Sequence, residues 1–173
     1  MRRAVVTLSA AVSAVMTLMN AGVAGAAGAD VASGRGSVRG ENPRGVIEAK
    51  FISGASDTTP GIGSDGNGVM HLRFTSTDPL QPDFSVTAKV TCVNAVGNRA
   101  TVVGEVTKAT RPELQSMIFY IEDNGPPKAG QPVDRFSATI AAQVFPVELV
   151  CQNFTSVVPL ESGNFTVKDG VNF

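Results

Sequence analysis

His71 is the single histidine of the chain, so any Ser-His-Asp or Cys-His catalysis would have to run through it. It lies in Met70-His71-Leu72-Arg73-Phe74, where the alternation sets it opposite three apolar residues and beside Arg73. If Met70, Leu72 and Phe74 face a core, His71 faces water. Carboxylates for acid–base work would come from Glu122, Asp123 and Asp134, which flank one loop-like stretch. Paired carboxyl groups can split their pKa values and drive hydrolysis. The same residue types also serve turns, with no catalysis. His71, Asp123 and Asp134 are therefore the candidate site residues, and none of them has an assigned catalytic role.

Two short motifs offer less. Gly61-Ile62-Gly63-Ser64-Asp65-Gly66 matches G-x-G-x-x-G, but Thr59-Pro60 precede it where a dinucleotide fold needs a strand, and a Gly-rich loop follows where it needs a helix. Asp65-Gly66-Asn67-Gly68 has the oxygens of a calcium turn and lacks the spaced ligands and distant Glu of an EF-hand loop. Both read as solvated loop, and no metal or cofactor is expected.

The two cysteines, Cys92 and Cys151, allow one pairing. Outside the cytoplasm such a pair oxidises and stays oxidised. A thiol pair binding zinc would need further ligands, and the chain offers one His. The expectation is a disulfide.

The elements that must carry these residues begin after an address. Met1-Arg2-Arg3 is a positive start, Ala4 to Met19 is apolar or small, and small residues follow to Ala29. This is the pattern of a secretory signal peptide, too short in its apolar run for a membrane span. Cleavage fits after Ala26 or after Ala29. Removing Arg2 and Arg3 leaves 12 Lys and Arg against 15 Asp and Glu, a net charge of −3. That mild acidity gives no long-range attraction for nucleic acid. With no Trp and one Tyr, base-stacking surfaces are poorly supplied.

Residues 27–44 read as a flexible lead-in, rich in Gly, Ser and Arg. Residues 45–173 read as one β domain. Gly45 to Ile52, Met70 to Thr75, Phe84 to Cys92, Ala100 to Val106, Met117 to Asp123 and Arg135 to Ala141 alternate with period two. Ser53 to Gly68 reads as a long loop, Val144 to Cys151 as a strand broken at Pro146, and Gln152 to Val158 and Asn164 to Lys168 as short strands. No apolar helical period runs over three turns. The fold expected is all-β, a single small antiparallel barrel stapled by the disulfide, with a β-sandwich as the alternative.

Three blocks occur together. Val90-Thr91-Cys92-Val93 with Val96-Gly97-Asn98-Arg99-Ala100 and Gly104 resembles C-L-x-V-x-G-N-x-A-x-x-x-G, with Val93 for the Leu and a turn of slightly different length. Ile121-Glu122-Asp123-Asn124-Gly125 with Asp134-Arg135-Phe136-Ser137 resembles V-x-D-N-G … D-x-F-S. Cys151 with Pro159-Leu160-Glu161-Ser162-Gly163-Asn164-Phe165-Thr166-Val167-Lys168-Asp169 resembles C … P-L-x-x-G-N-F-x-V-x-D. The chain from about Val69 to Asp169 thus resembles a group of uncharacterised exported bacterial β-module proteins. The resemblance implies a secreted β module, brings no catalytic residues, and supports the pairing of Cys92 with Cys151. The functional expectation is a secreted, non-catalytic binding or structural module of the cell envelope or medium, meeting an envelope or extracellular ligand. A small secreted hydrolase or isomerase and a barrel carrying a small apolar ligand are the alternatives.

Overall fold

Phe84–Val96 and Arg99–Ala109 pair as an antiparallel hairpin, turning through Gly97 and Asn98. Gly97 has φ of 61°, which glycine takes without a Cβ clash. The structure is a computed structural model that describes residues 28–41, 44–58, 65–126 and 128–170. Its elements are β1 (Asp30–Glu41), β2 (Arg44–Asp57), β3 (Asn67–Ser76), β4 (Phe84–Val96), β5 (Arg99–Ala109), β6 (Ser116–Glu122), β7 (Arg135–Ala141), α1 (Val147–Val150), β8 (Val158–Pro159) and β9 (Ser162–Lys168). The strands form one antiparallel sheet in the order β8-β7-β6-β5-β4-β3-β2-β1-β9, curled into a half-barrel. There is one sheet, not the two of a sandwich.

Period two puts Met70, Leu72, Val86, Ala88, Val102, Met117, Phe119 and Ile121 on the concave side, all buried. Four phenylalanines meet across that interior. Phe51 of β2 lies edge-on to Phe119 of β6 at 5.8 Å and to Phe165 of β9 at 6.3 Å. Phe136 of β7 contacts Phe119 at 5.0 Å and stacks on Phe165 at 5.4 Å. Such ring pairs add about 0.5–1.5 kcal/mol each beyond area burial. They bind strands far apart in the sheet order and fill the space between them.

Five local expectations are corrected. The lead-in contains β1, which pairs with both β2 and β9. It shows no apolar period because its inward sites are small: a Cβ on Gly36 would lie 2.8 Å from the Leu160 side chain. The loop from Ser53 is shorter, since β2 runs on to Asp57 and β3 opens at Asn67. Val144 to Cys151 contains the single turn α1 after Pro146, and Gln152 to Val158 is strand only at its last residue. Proline removes the donor a ladder would need there.

The fifth correction concerns Cys92. A register shift between Val90 and Cys92 breaks the alternation. Val93 and Ala95 take over the inward positions. Cys92 turns to the convex side and joins Val103, Ile118, Tyr120, Cys151 and Val157 in a second, smaller core. Its bond to Cys151, 59 residues away, ties the segment around α1 onto the outer wall of β4, β5 and β6.

The curl is completed by carboxylates. β3 covers β4 only as far as Lys89. Beyond it, the N–H groups of Val93, Ala95 and Gly97 donate to Asp57, Asp30 and Asp169 at 3.0, 2.6 and 2.9 Å. Asp30 also accepts from Gly170 N–H at 2.9 Å. At the other seam the two end strands are consecutive in the chain. β8 pairs with β7, and two residues later β9 pairs with β1. The open edge of β9 donates from Phe165 and Val167 to Asp134 and Asp123 at 2.7 and 2.9 Å.

Replacing both cysteines by serine should lower the unfolding free energy in urea by about 4 kcal/mol, the chain-entropy value for a loop of this length. A change below about 1 kcal/mol would show that the staple does not constrain the unfolded chain. Asp30→Asn keeps the shape and replaces one of two acceptor oxygens by a donor, so it should destabilise by about 1–3 kcal/mol. Burial raises the pKa of Asp30 above its ordinary 3.8, against the bonds from Ala95 and Gly170. A raised folded-state pKa gives stability that is full below 3.8 and declines as pH rises through the folded value. The gap between the native protein and Asp30→Asn should therefore narrow as pH rises from acid to neutral. A gap that widens would reverse the sign.

Candidate functional site

His71 lies on the convex side of β3, as its alternation predicts, and is half-buried there. Its neighbours come from register. Lys50 of β2 is its partner on one side and Thr87 of β4 on the other. Nδ1 lies 3.0 Å from Thr87 Oγ1. A groove of about 590 Å³ opens over β9, β1, β2 and β3, where Arg35, Ser37, Glu48, Lys50, His71 and Arg73 line it. A second groove, about 400 Å³, flanks His71 and Arg73 on the far side beside Asp83. Burial lowers the His71 pKa from its ordinary 6.5, and the charges of Lys50 and Arg73 lower it further. The ring is therefore mainly neutral at pH 7.

Asp123 and Asp134 lie elsewhere. Neither lines the two grooves beside His71. Asp123 accepts Gly125 N–H on Oδ1 and Val167 N–H on Oδ2, at 2.8 and 2.9 Å. Asp134 accepts Asn124 N–H and Phe165 N–H in the same divided way, at 2.9 and 2.7 Å. Glu122 pairs with Arg99 at 3.1 Å. Asp123 and Asp134 hold the β6–β7 loop and β9 together. Asn98 joins them, donating to the Asp123 carbonyl at 2.9 Å.

The calcium-like turn is also occupied by the fold. Asp65 accepts from Thr58 Oγ1 at 2.9 Å, and Gly66 N–H donates to the Thr91 carbonyl at 3.0 Å. A Cβ on Gly66 would sit 2.4 Å from the Thr91 backbone, so strand contact explains that glycine. Among the described residues no three His, Cys, Asp or Glu side chains converge on a metal position. Residues 61–64 of the G-x-G-x-x-G match lie outside the described residues.

Sequence reasoning singled out His71 and noted Arg73 beside it. It missed Arg35 and Lys50, which stand on strands of different origin and meet them only through register. Among the described residues, no carboxylate lies within 4.0 Å of Arg35, Lys50 or Arg73. Among the described residues the groove has no hydrogen-bonded base–carboxylate pair, and three of its four charged side chains, Arg35, Lys50 and Arg73, are cationic. No helix among the described residues is long and apolar enough to cross a membrane.

The fold and this surface define a disulfide-stapled, curled antiparallel β half-barrel with a cation-lined convex groove. No protein-family model, curated protein or solved structure matches the chain.

The sole imidazole gives a direct check. Its NMR titration should have a midpoint below 6.5, and Lys50→Ala should move that midpoint upward. A midpoint unmoved by Lys50→Ala would show that the lysine charge does not reach the ring.

Proposed function

We propose that this protein is an exported, non-catalytic binding module of the cell envelope or surrounding medium. The observation that carries the reading is where the reactive side chains are spent. Asp30, Asp57, Asp123 and Asp134 accept strand N–H groups, and Cys92 and Cys151 are bonded to each other. The open groove around Lys50 and His71 remains as the surface for contact. Export is supported by the Arg-Arg and apolar leader and by the disulfide, which suits an oxidising compartment.

The alternatives have less behind them. A hydrolase or isomerase using His71 needs a carboxylate to orient the ring, and Thr87 holds that position. A carrier of a small apolar ligand needs an interior void, and the four phenylalanine rings meet where it would be.

The mature chain should begin at Ala27. Gly28 N–H donates to the Gly170 carbonyl at 2.7 Å, and Gly170 in turn bonds Asp30. Cleavage after Ala29 would remove that contact and set a charged terminus at buried Asp30. Intact-mass measurement on protein recovered from the medium or envelope of its own host checks this. A start at Asp30 would reject the assigned cleavage position. Recovery from the cell interior alone, with Met1 retained, would reject export.

A further inference from the structure

We propose that the convex wall across β1, β2 and β3 binds a multivalent oxyanion, a chain bearing two or more phosphate or carboxylate groups laid across the strands over Arg35, Lys50 and His71. The inference rests on the binding-module reading and names the ligand class for its groove. Pairing aligns Asn164, Arg35, Lys50, His71, Thr87 and Lys108 in a single row across six strands. The row contains no acid. Strands stand about 4.8 Å apart, so Arg35 to His71 spans roughly 10 Å and Arg35 to Lys108 roughly 19 Å. That length suits several anionic groups in series better than one.

The adjoining row, Ser162, Ser37, Glu48, Arg73 and Ser85, holds one carboxylate. Arg35, Lys50 and Arg73 against Glu48 give the groove a net charge of +2, in a chain whose formal net charge is −1. Arg35 and Lys50 are direct cross-strand partners. Like charges in that position destabilise a sheet. Charges are often tolerated on edge strands because they block aggregation. That explanation fails here, since β1, β2 and β3 are each paired on both sides. An anion lying over the row removes the repulsion.

The donors match the ligand. Arginine grips phosphate or carboxylate with two parallel N–H bonds, and lysine adds a point charge. Ser37 Oγ and Ser162 Oγ lie 2.8 Å apart, which uses one of their two protons and leaves the other to donate outward. With Nδ1 of His71 at Thr87, Nε2 remains for the ligand. The charged groups around the ring are Lys50 and Glu48 from β2, Arg73 on β3 itself, Arg35 from β1 in the same groove and Asp83 in the next.

The test uses the mature full chain and the ring signals of its one histidine. Tripolyphosphate, citrate and sodium chloride are titrated at matched ionic strength, with phosphatidylglycerol vesicles as a separate arm. The expected result is a saturable shift of the His71 signals by tripolyphosphate or citrate that sodium chloride does not reproduce. The tighter of the two names phosphate or carboxylate as the source. Arg35→Ala and Lys50→Ala should each weaken binding about two- to fivefold, and Glu48→Gln should tighten it, as expected for exposed charge contacts. Dispersed amide spectra of each variant show that it is folded. Shifts that follow ionic strength alone, unchanged binding in a Lys50→Ala/Arg73→Ala double variant, or a response to vesicles with none to soluble anions would each overturn the proposal. Failure here, with processed protein still found outside the cell, leaves the module reading standing. An unprocessed chain confined to the cell interior rejects that reading whatever the groove binds.

Discussion

The fold depends on carboxylates that stand in for absent strands. A curled sheet of unequal strands leaves backbone N–H groups without partners wherever a neighbour ends early, and a buried N–H without an acceptor is costly. β4 outruns β3, and β9 has one edge beyond β1. Asp30, Asp57 and Asp169 serve the first gap, and Asp123 and Asp134 the second. Asp30, Asp57 and Asp134 are at most 3% exposed. A charged acceptor makes a stronger bond than a neutral one, which offsets part of the desolvation. Because each of Asp30, Asp123 and Asp134 takes two N–H donors, each ties two chain segments at once.

Two cores of different character rest on that frame. The inner one is aromatic at one end and aliphatic along β3, β4 and β5, and it joins remote strands through Phe51, Phe119, Phe136 and Phe165. The outer one is small and lies between the convex face of β4, β5 and β6 and the segment around α1. A single helical turn and an irregular stretch bury too little apolar surface to stay docked on their own. The disulfide holds that segment to the wall together with the bonds from Thr101 Oγ1 to the Asn153 carbonyl and from Ser116 Oγ to the Gln143 carbonyl, and it also limits the unfolded chain.

These structural demands account for most of the residues whose chemistry first suggested a site. Asp123 and Asp134 bond main chain, the glycines of the calcium-like turn admit a neighbouring strand, and the interior is filled by rings. The convex row through Arg35, Lys50 and His71 is the exception. Beyond the contact of His71 with Thr87 it makes no bond that holds the fold, and its like-charged partners cost stability.

The chain's own period of two determined the strands from Met70 to Ala141, their inward faces and the all-β class, because side chains alternate whatever the neighbours are. Composition determined the disulfide, since two cysteines allow one bond. The bulge beside Thr91 was not legible: Cys92 and Val93 are both apolar, so an extra residue leaves no mark in the pattern. β1 was not legible because Leu160 and Phe165 already fill the space above Gly36. The same holds for the site. His71 and Arg73 were visible from one strand, whereas Lys50 and Arg35 joined them through pairing register. Which N–H groups lacked a strand, and which carboxylates reached them, was decided only by the curled tertiary structure. Bulges and strand ends set those meetings, and they are properties of strands side by side, not of any one strand.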